Sequence, residues 1–167
     1  MSPLVQRARD FAIKAHGDQK YGTKPYAYHL GMAHSALVAA GFLDEDLQAA
    51  IWLHDVEEDT GKTREEVRAE FGEDVEALVW AVSGFGATRK ERNAASYEKV
   101  LLEPRSIIVK LADHIANGTE CAAGNPKLLG MYQREFPSFH GKLSPLLAGD
   151  SRVIAMWAKL REILGVV

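Results

Sequence analysis

One cysteine, Cys121, among 167 residues leaves no internal disulfide to staple the fold. A lone thiol fits a reducing compartment, and the expected location is the cytoplasm. Long apolar runs are missing as well. None approaches the roughly 18 residues of a membrane span, and the N-terminus shows no secretory apolar core. Nor does charge of one sign dominate: 20 Lys and Arg against 23 Asp and Glu give a net charge of -3. That balance provides no bulk drive toward nucleic acid or an anionic membrane. Repeats, linkers and low-complexity stretches are absent, and no segment alternates cleanly with period two, which argues against a sheet-built fold. What remains is 47% hydrophobic residues in a chain long enough to bury one sizeable core.

Helical spacing runs nearly throughout. Ser2-Pro3 reads as N-cap and first helical position, followed by a stripe of Leu4, Ala8, Phe11, Ala12 and Ala15. A turn-rich stretch, Gly17 to Pro25, precedes a helix that carries Met32, Ala36 and Leu37 and stops at Gly41. Asp44 caps a helix leading into His54, and Thr63 with Glu66 forms a capping-box pattern before a helix ending near Gly72. Val75, Leu78 and Val82 mark another helix, and Gly84 to Lys90 reads as a loop. The segment Tyr97 to Leu102 ends a short helix before Pro104. Ile107, Ile108, Leu111 and Ile115 stripe the next helix, closed by Asn117-Gly118. Leu128 to Phe136 is helical, with Pro137 kinking or dividing it, and Asp150 caps a last helix with Val153, Ile154, Trp157, Leu160 and Ile163. The expected fold class is all-α, a single domain over residues 1–167. Trp157 could serve the core or a subunit contact, and oligomeric state stays open.

The run His54-Asp55-Val56-Glu57-Glu58-Asp59-Thr60 carries the chemistry. An imidazole beside a carboxylate is a ligand pair suited to Zn, Mn or Fe. If the run continues a helix, Glu58 follows His54, and Asp59 follows Asp55, one turn on along the same side. Lys110, Asp113 and Asn117, at spacings i, i+3 and i+7, share one face of a later helix, away from its apolar stripe. Taken with His29, these positions supply two imidazoles and two carboxylates, a mixed nitrogen and oxygen donor set.

In this order the residues resemble the HD superfamily of metal-dependent phosphohydrolases, and most closely its RelA/SpoT hydrolase-domain branch with the stand-alone small alarmone hydrolases. The likeness runs from about residue 5 to about residue 120. It rests on Ala15-His16-Gly17-Asp18-Gln19, Gly22-Thr23-Lys24-Pro25-Tyr26-Ala27-Tyr28-His29, His54 to Thr60, Phe71-Gly72-Glu73-Asp74-Val75 and Lys110-Leu111-Ala112-Asp113-His114-Ile115-Ala116-Asn117. The resemblance implies an HD-domain helical bundle with a Mn ion, Zn or Fe being alternatives, on His29, His54, Asp55 and Asp113. It implies removal of the 3′-pyrophosphate from guanosine tetra- or pentaphosphate by a metal-activated water, oriented or deprotonated by Glu58 and Asp59. Lys20, Lys24, Tyr26, Arg92, Lys110 and Asn117 are the candidate substrate contacts, with Arg89 and Lys90 as further basic groups. The rings of Tyr21, Tyr26 and Tyr28 suit either a stacked base or the core. His16 is expected to support the site or cap its helix, while His34 and His140 carry no motif.

Departures from the branch are Tyr21 after Lys20, Leu30 after His29, His114 after Asp113, and Glu135-Phe136 where Glu-Tyr is usual. They spare the metal set and bear on the nucleotide. Open alternatives are therefore an HD phosphohydrolase of another nucleotide, such as an adenosine alarmone or an NADPH-like phosphate ester, and a silent, antitoxin-like binding partner. With no synthetase half in the sequence, pyrophosphate transfer from ATP is not expected.

Overall fold

The computed structural model describes all 167 residues. Helix α1, Pro3–His16, begins where the sequence places it, with the Ser2 hydroxyl accepting from the Val5 N–H at 3.4 Å. The turn-rich stretch closes into a small antiparallel hairpin, β1 (Lys20–Tyr21) on β2 (Lys24–Pro25), with Tyr21 opposite Lys24. Two residues per strand are too few to show a period in sequence. Helix α2 is Tyr26–Ala39, and α3 is Glu45–Leu53, capped by Asp44 through the Asp46 and Leu47 N–H groups. A single turn, α4 (Val56–Asp59), leads to α5 (Arg64–Phe71), which opens on the reciprocal Thr63–Glu66 cap. Then come α6 (Glu73–Val82), α7 (Arg89–Leu102), α8 (Ser106–Gly124), α9 (Pro126–Leu143) and α10 (Ser151–Leu164).

Helix α8 is the axis of the bundle, packing on α2, α3, α6, α9 and α10. Its Ile107, Val109, Leu111 and Ala112 are fully buried in a continuous core of 37 residues. Burying a Leu or Ile side chain contributes about 1.5–3 kcal/mol, so this stripe alone does much to hold α8 in place. Trp157 is 6% exposed and packs against Phe139 at 4.9 Å, a core position. Ile154 of the same helix points outward. No helix is long and apolar enough to cross a membrane.

Three boundaries differ from the sequence reading. Helix α8 continues through Asn117-Gly118 to Gly124. Gly118 is the point where α10 comes close: a Cβ there would lie 3.1 Å from Ile163 Cγ2. Its absent side chain permits helix contact rather than ending the helix. Helix α9 spans Pro137 undivided, with that ring on the solvent face, where water can replace the missing donor. Arg89 and Lys90 belong to the first turn of α7, because Thr88 and Glu91 cap each other reciprocally. That Thr-x-x-Glu pattern was present in the sequence and shortens the loop to 83–88.

Candidate metal centre and its cavity

The His54-Asp55 pair sits in a break between two helices, not inside one. His54 Nδ1 lies 2.7 Å from the Ile51 carbonyl, the acceptor that a continuing helix would give to the Asp55 N–H. The imidazole replaces the backbone donor, α3 stops at Leu53, and α4 restarts at Val56. A carbonyl can only accept, so Nδ1 carries the proton and Nε2 presents its lone pair.

That lone pair meets three other donor atoms. His54 Nε2 is 3.3 Å from His29 Nε2, 2.9 Å from Asp55 Oδ2 and 3.4 Å from Asp113 Oδ1. His29 Nε2 is 3.6 Å from Asp55 Oδ2 and 3.2 Å from Asp113 Oδ1. Helix α2 and the α3–α4 break thus bring the ligand atoms of His29, His54 and Asp55 within 4.8 Å of one another, and α8 sets Asp113 against both imidazoles from a further side. Donors about 2.0–2.2 Å from a common ion lie roughly 3–3.5 Å apart, so the spacing fits a divalent cation. Without a cation or protons, the converging lone pairs and carboxylates would repel. Burial works against charge on His29 and His54, yet Asp113 and Asp55 outweigh it and raise both imidazoles above their ordinary range. The Asp113 carboxyl is held well below its usual range: burial opposes this, but the two imidazoles prevail.

Neighbours fix these donors. The Tyr26 hydroxyl donates to Asp55 Oδ2 at 2.6 Å, and Asn117 Nδ2 donates to Asp113 Oδ1 at 2.6 Å. Tyr21 stacks on His29 at 4.7 Å and donates its hydroxyl to Asn117 at 2.8 Å. His16 stacks on Tyr26 at 4.3 Å and contacts Gln19, whose amide donates to Asp59 Oδ2 at 2.9 Å. His16 therefore supports the site through two neighbours.

Glu58 stands at the mouth of the centre. Its Oε2 accepts from the Gly84 N–H at 2.8 Å, and its Oε1 is 3.7 Å from Arg92 Nε. A Cβ on residue 84 would lie 2.8 Å from the Arg92 carbonyl oxygen. Gly84→Ala must therefore push α7 away from the loop. We expect it to cost about 1–3 kcal/mol of stability and to lower any activity that depends on Glu58. A urea midpoint equal to wild type would show that the contact yields freely.

The chain matches the HD domain family over residues 8–135, about three quarters of its length. It belongs to the HD domain family. A guanosine-3′,5′-bis(diphosphate) 3′-pyrophosphohydrolase of Aquifex aeolicus is 40% identical over 119 residues, covering 68% of this chain and 17% of that protein. A protein of the same name from Vibrio cholerae is 34% identical over 155 residues, 85% of this chain and 22% of that one. The chain thus spans about a fifth of the length of these relatives. A solved structure of a metazoan ortholog of SpoT, described as hydrolysing ppGpp with a role in starvation responses, has a TM-score of 0.80 at 24% identity, covering 100% of this chain and 98% of that one. At that identity the likeness is one of fold.

Around the HD residues, a cavity of about 230 Å³ is lined by Tyr26, Glu58, Asp59, Arg92, Lys110 and Asn117 among others. A second, of about 320 Å³, includes Lys24 and shares Asn117 and Tyr132 with the first. Lys24 lies 3.4 Å from Glu120 and over the Tyr28 ring. Lys20 is exposed on β1 and lines neither cavity. Lys110 lines the first cavity, though its ammonium also donates to the Val82 carbonyl at 3.0 Å. Arg89, one of the expected further basic groups, lines this cavity, as do His114 and Tyr132, which were not singled out as site groups. Arg89 forms a two-pronged pair with Glu135 at 2.7 and 3.0 Å, and it lies over Tyr132. His114 donates through Nδ1 to the Lys110 carbonyl, and burial pushes it down to about 4, so it is neutral at pH 7. Only its place one residue after Asp113 hinted at this; Tyr132 had no sequence signal.

Proposed function

We propose that the protein removes the 3′-pyrophosphate of guanosine tetra- or pentaphosphate, with residues 1–167 acting as one hydrolase unit. The observation that supports it is the cluster of His29, His54 and Asp55, with Asp113 against both imidazoles, in a cavity shared with Glu58 and Asp59. A divalent cation held there, Mn in the first instance, supplies Lewis acidity toward water and the phosphoryl oxygens. Glu58 accepts the proton of the attacking water, while Asp59, held by Gln19, orients it. The water oxygen bonds to the phosphorus on the ribose 3′ oxygen, that O–P bond breaks, and the 3′ oxygen takes up a proton. Lys110 and Arg92 offset phosphate charge, and Asn117, Tyr26 and Lys24 line the space for the nucleotide. The free, buried Cys121 has no role in this chemistry, and its lone thiol favours the cytoplasm as the compartment.

Product analysis tests this reading. Chelated protein given guanosine tetraphosphate should be inert, and added Mn should yield GDP and intact pyrophosphate. Orthophosphate as the product, or no turnover with Mn bound, would overturn it. A second reading, hydrolysis of another nucleotide, is favoured by Tyr21. Its ring and hydroxyl are committed to His29 and Asn117, where the branch carries a second basic residue.

A further inference from the structure

The last carbonyls of α6 have no backbone donor of their own helix, and α7 and α8 provide replacements. The Ser96 hydroxyl donates to the carbonyls of Ala81 at 3.2 Å and Val82 at 3.0 Å. Lys110 donates to Val82, and Lys99 Nζ donates to the Ser83 carbonyl at 2.5 Å. Cations are well placed at a helix C-terminus. Lys99 is also clamped, with its ammonium 3.9 Å from the Trp80 ring centre and 5.0 Å from that of Phe85. Ser83 is fully buried. Burial pushes the Lys99 ammonium down to about 8, with the carboxylates of Glu57 and Glu58 opposing, so it remains mostly cationic at neutral pH.

The Ser83 carbonyl and the Gly84 N–H are the two ends of one peptide unit. A trans unit is planar and aims these groups in opposite directions, and the chain has no cis bond. Lys99 holds the oxygen end, and Glu58 Oε2 accepts from the nitrogen end at 2.8 Å. The geometry points to Lys99 as a positioning residue for Glu58, acting through the Ser83–Gly84 peptide unit. By fixing that plane, it fixes the donor against which the Glu58 carboxylate rests. A cation on the carbonyl also polarises the unit and strengthens its N–H as a donor. Lys99 lines neither cavity, so its effect reaches the chemistry through Gly84 and not through substrate. This role rests on Glu58 accepting the proton, as proposed above.

Nitrogen–proton correlation spectra of wild type, Lys99→Met, Lys99→Arg and Glu58→Gln test it. In wild type the Gly84 amide proton donates to a carboxylate and should resonate far downfield. It should move upfield in Lys99→Met and Glu58→Gln and hold its place in Lys99→Arg. In kinetics, Lys99→Met should lose about tenfold in kcat through misplacement of the acceptor. KM should change little, and Lys99→Arg should recover most of the loss. An unmoved Gly84 resonance in Lys99→Met, or a kcat loss shared in full by Lys99→Arg, overturns the proposal. If Lys99→Met does not melt cooperatively, Lys99→Gln takes its place with the same expectations. The resonance is read without substrate. Failure of the alarmone reading would instead leave every form inactive on the tetraphosphate with the spectral pattern intact.

Discussion

Glu58→Gln is expected to lower kcat on guanosine tetraphosphate by about 10²–10⁴-fold, the usual contribution of a positioned proton acceptor. The substitution is narrow. A glutamine oxygen can still accept from the Gly84 N–H, so the loop keeps its anchor, and the His29, His54 and Asp55 cluster and the Asp113 beside its imidazoles are untouched. One Mn equivalent should still bind. The pH profile adds a second test. Burial raises the Glu58 carboxyl above its usual range, the Gly84 N–H and Lys110 oppose that, and Asp55 and Asp59 reinforce it. A base must be ionised to work, so wild-type activity should fall as pH drops through this raised value. With Mn kept saturating at every pH, so that protonation of His29 and His54 adds no limb of its own, the acid limb should lie above the ordinary carboxylate range of about 4, and the residual rate of Glu58→Gln should lack it. Unchanged kcat, or the same limb in the variant, would remove Glu58 from the proton-accepting role.

How far the site could be read from sequence depends on the distance over which each residue acts. Local signals held: the Ser2, Asp44, Thr63 and Asp150 caps all begin helices where their side chains can take orphan N–H groups. The i, i+3, i+7 spacing put Lys110, Asp113 and Asn117 on one face, and all three line the same cavity. Local signals misled where a distant helix decides the outcome. Gly118 reads as a helix stop on propensity, but the close approach of Ile163 gives the glycine a different purpose. The His54-Asp55 break was not visible either, since it depends on an imidazole taking a carbonyl from the backbone. Lys99 carried no motif. Its part appears only once α7 is laid beside the end of α6, because a single peptide unit connects it to Glu58. Basic residues at suitable positions in the chain fared unevenly. Lys24 reaches a cavity and Lys20 does not, and Arg89 matters more in the structure than its place in an expected loop suggested.

A saturating divalent cation should raise the melting temperature of the chelated protein by about 5–10 °C, and His54→Ala should abolish the rise. Ligand at about 100 times its Kd stabilises by about 2.7 kcal/mol, and each kcal/mol moves a domain of this size by about 2–4 °C. His54 is the ligand to remove, because the Ile51 carbonyl fixes its tautomer and its Nε2 faces the three other donors. The variant without metal should melt lower than wild type, since that carbonyl loses its partner. The decisive quantity is thus the difference made by the cation, not either melting point alone. The gain should grow with pH. Protons on His29 and His54, favoured by the adjacent carboxylates, stabilise the metal-free fold below the unfolded imidazole value of about 6.5. That contribution is lost as pH rises through the raised folded values. A cation competes with those same protons, so it binds more tightly as they leave. A melting gain that persists in His54→Ala would locate the ion elsewhere. A gain that shrinks with rising pH would mean that the imidazoles are not its ligands.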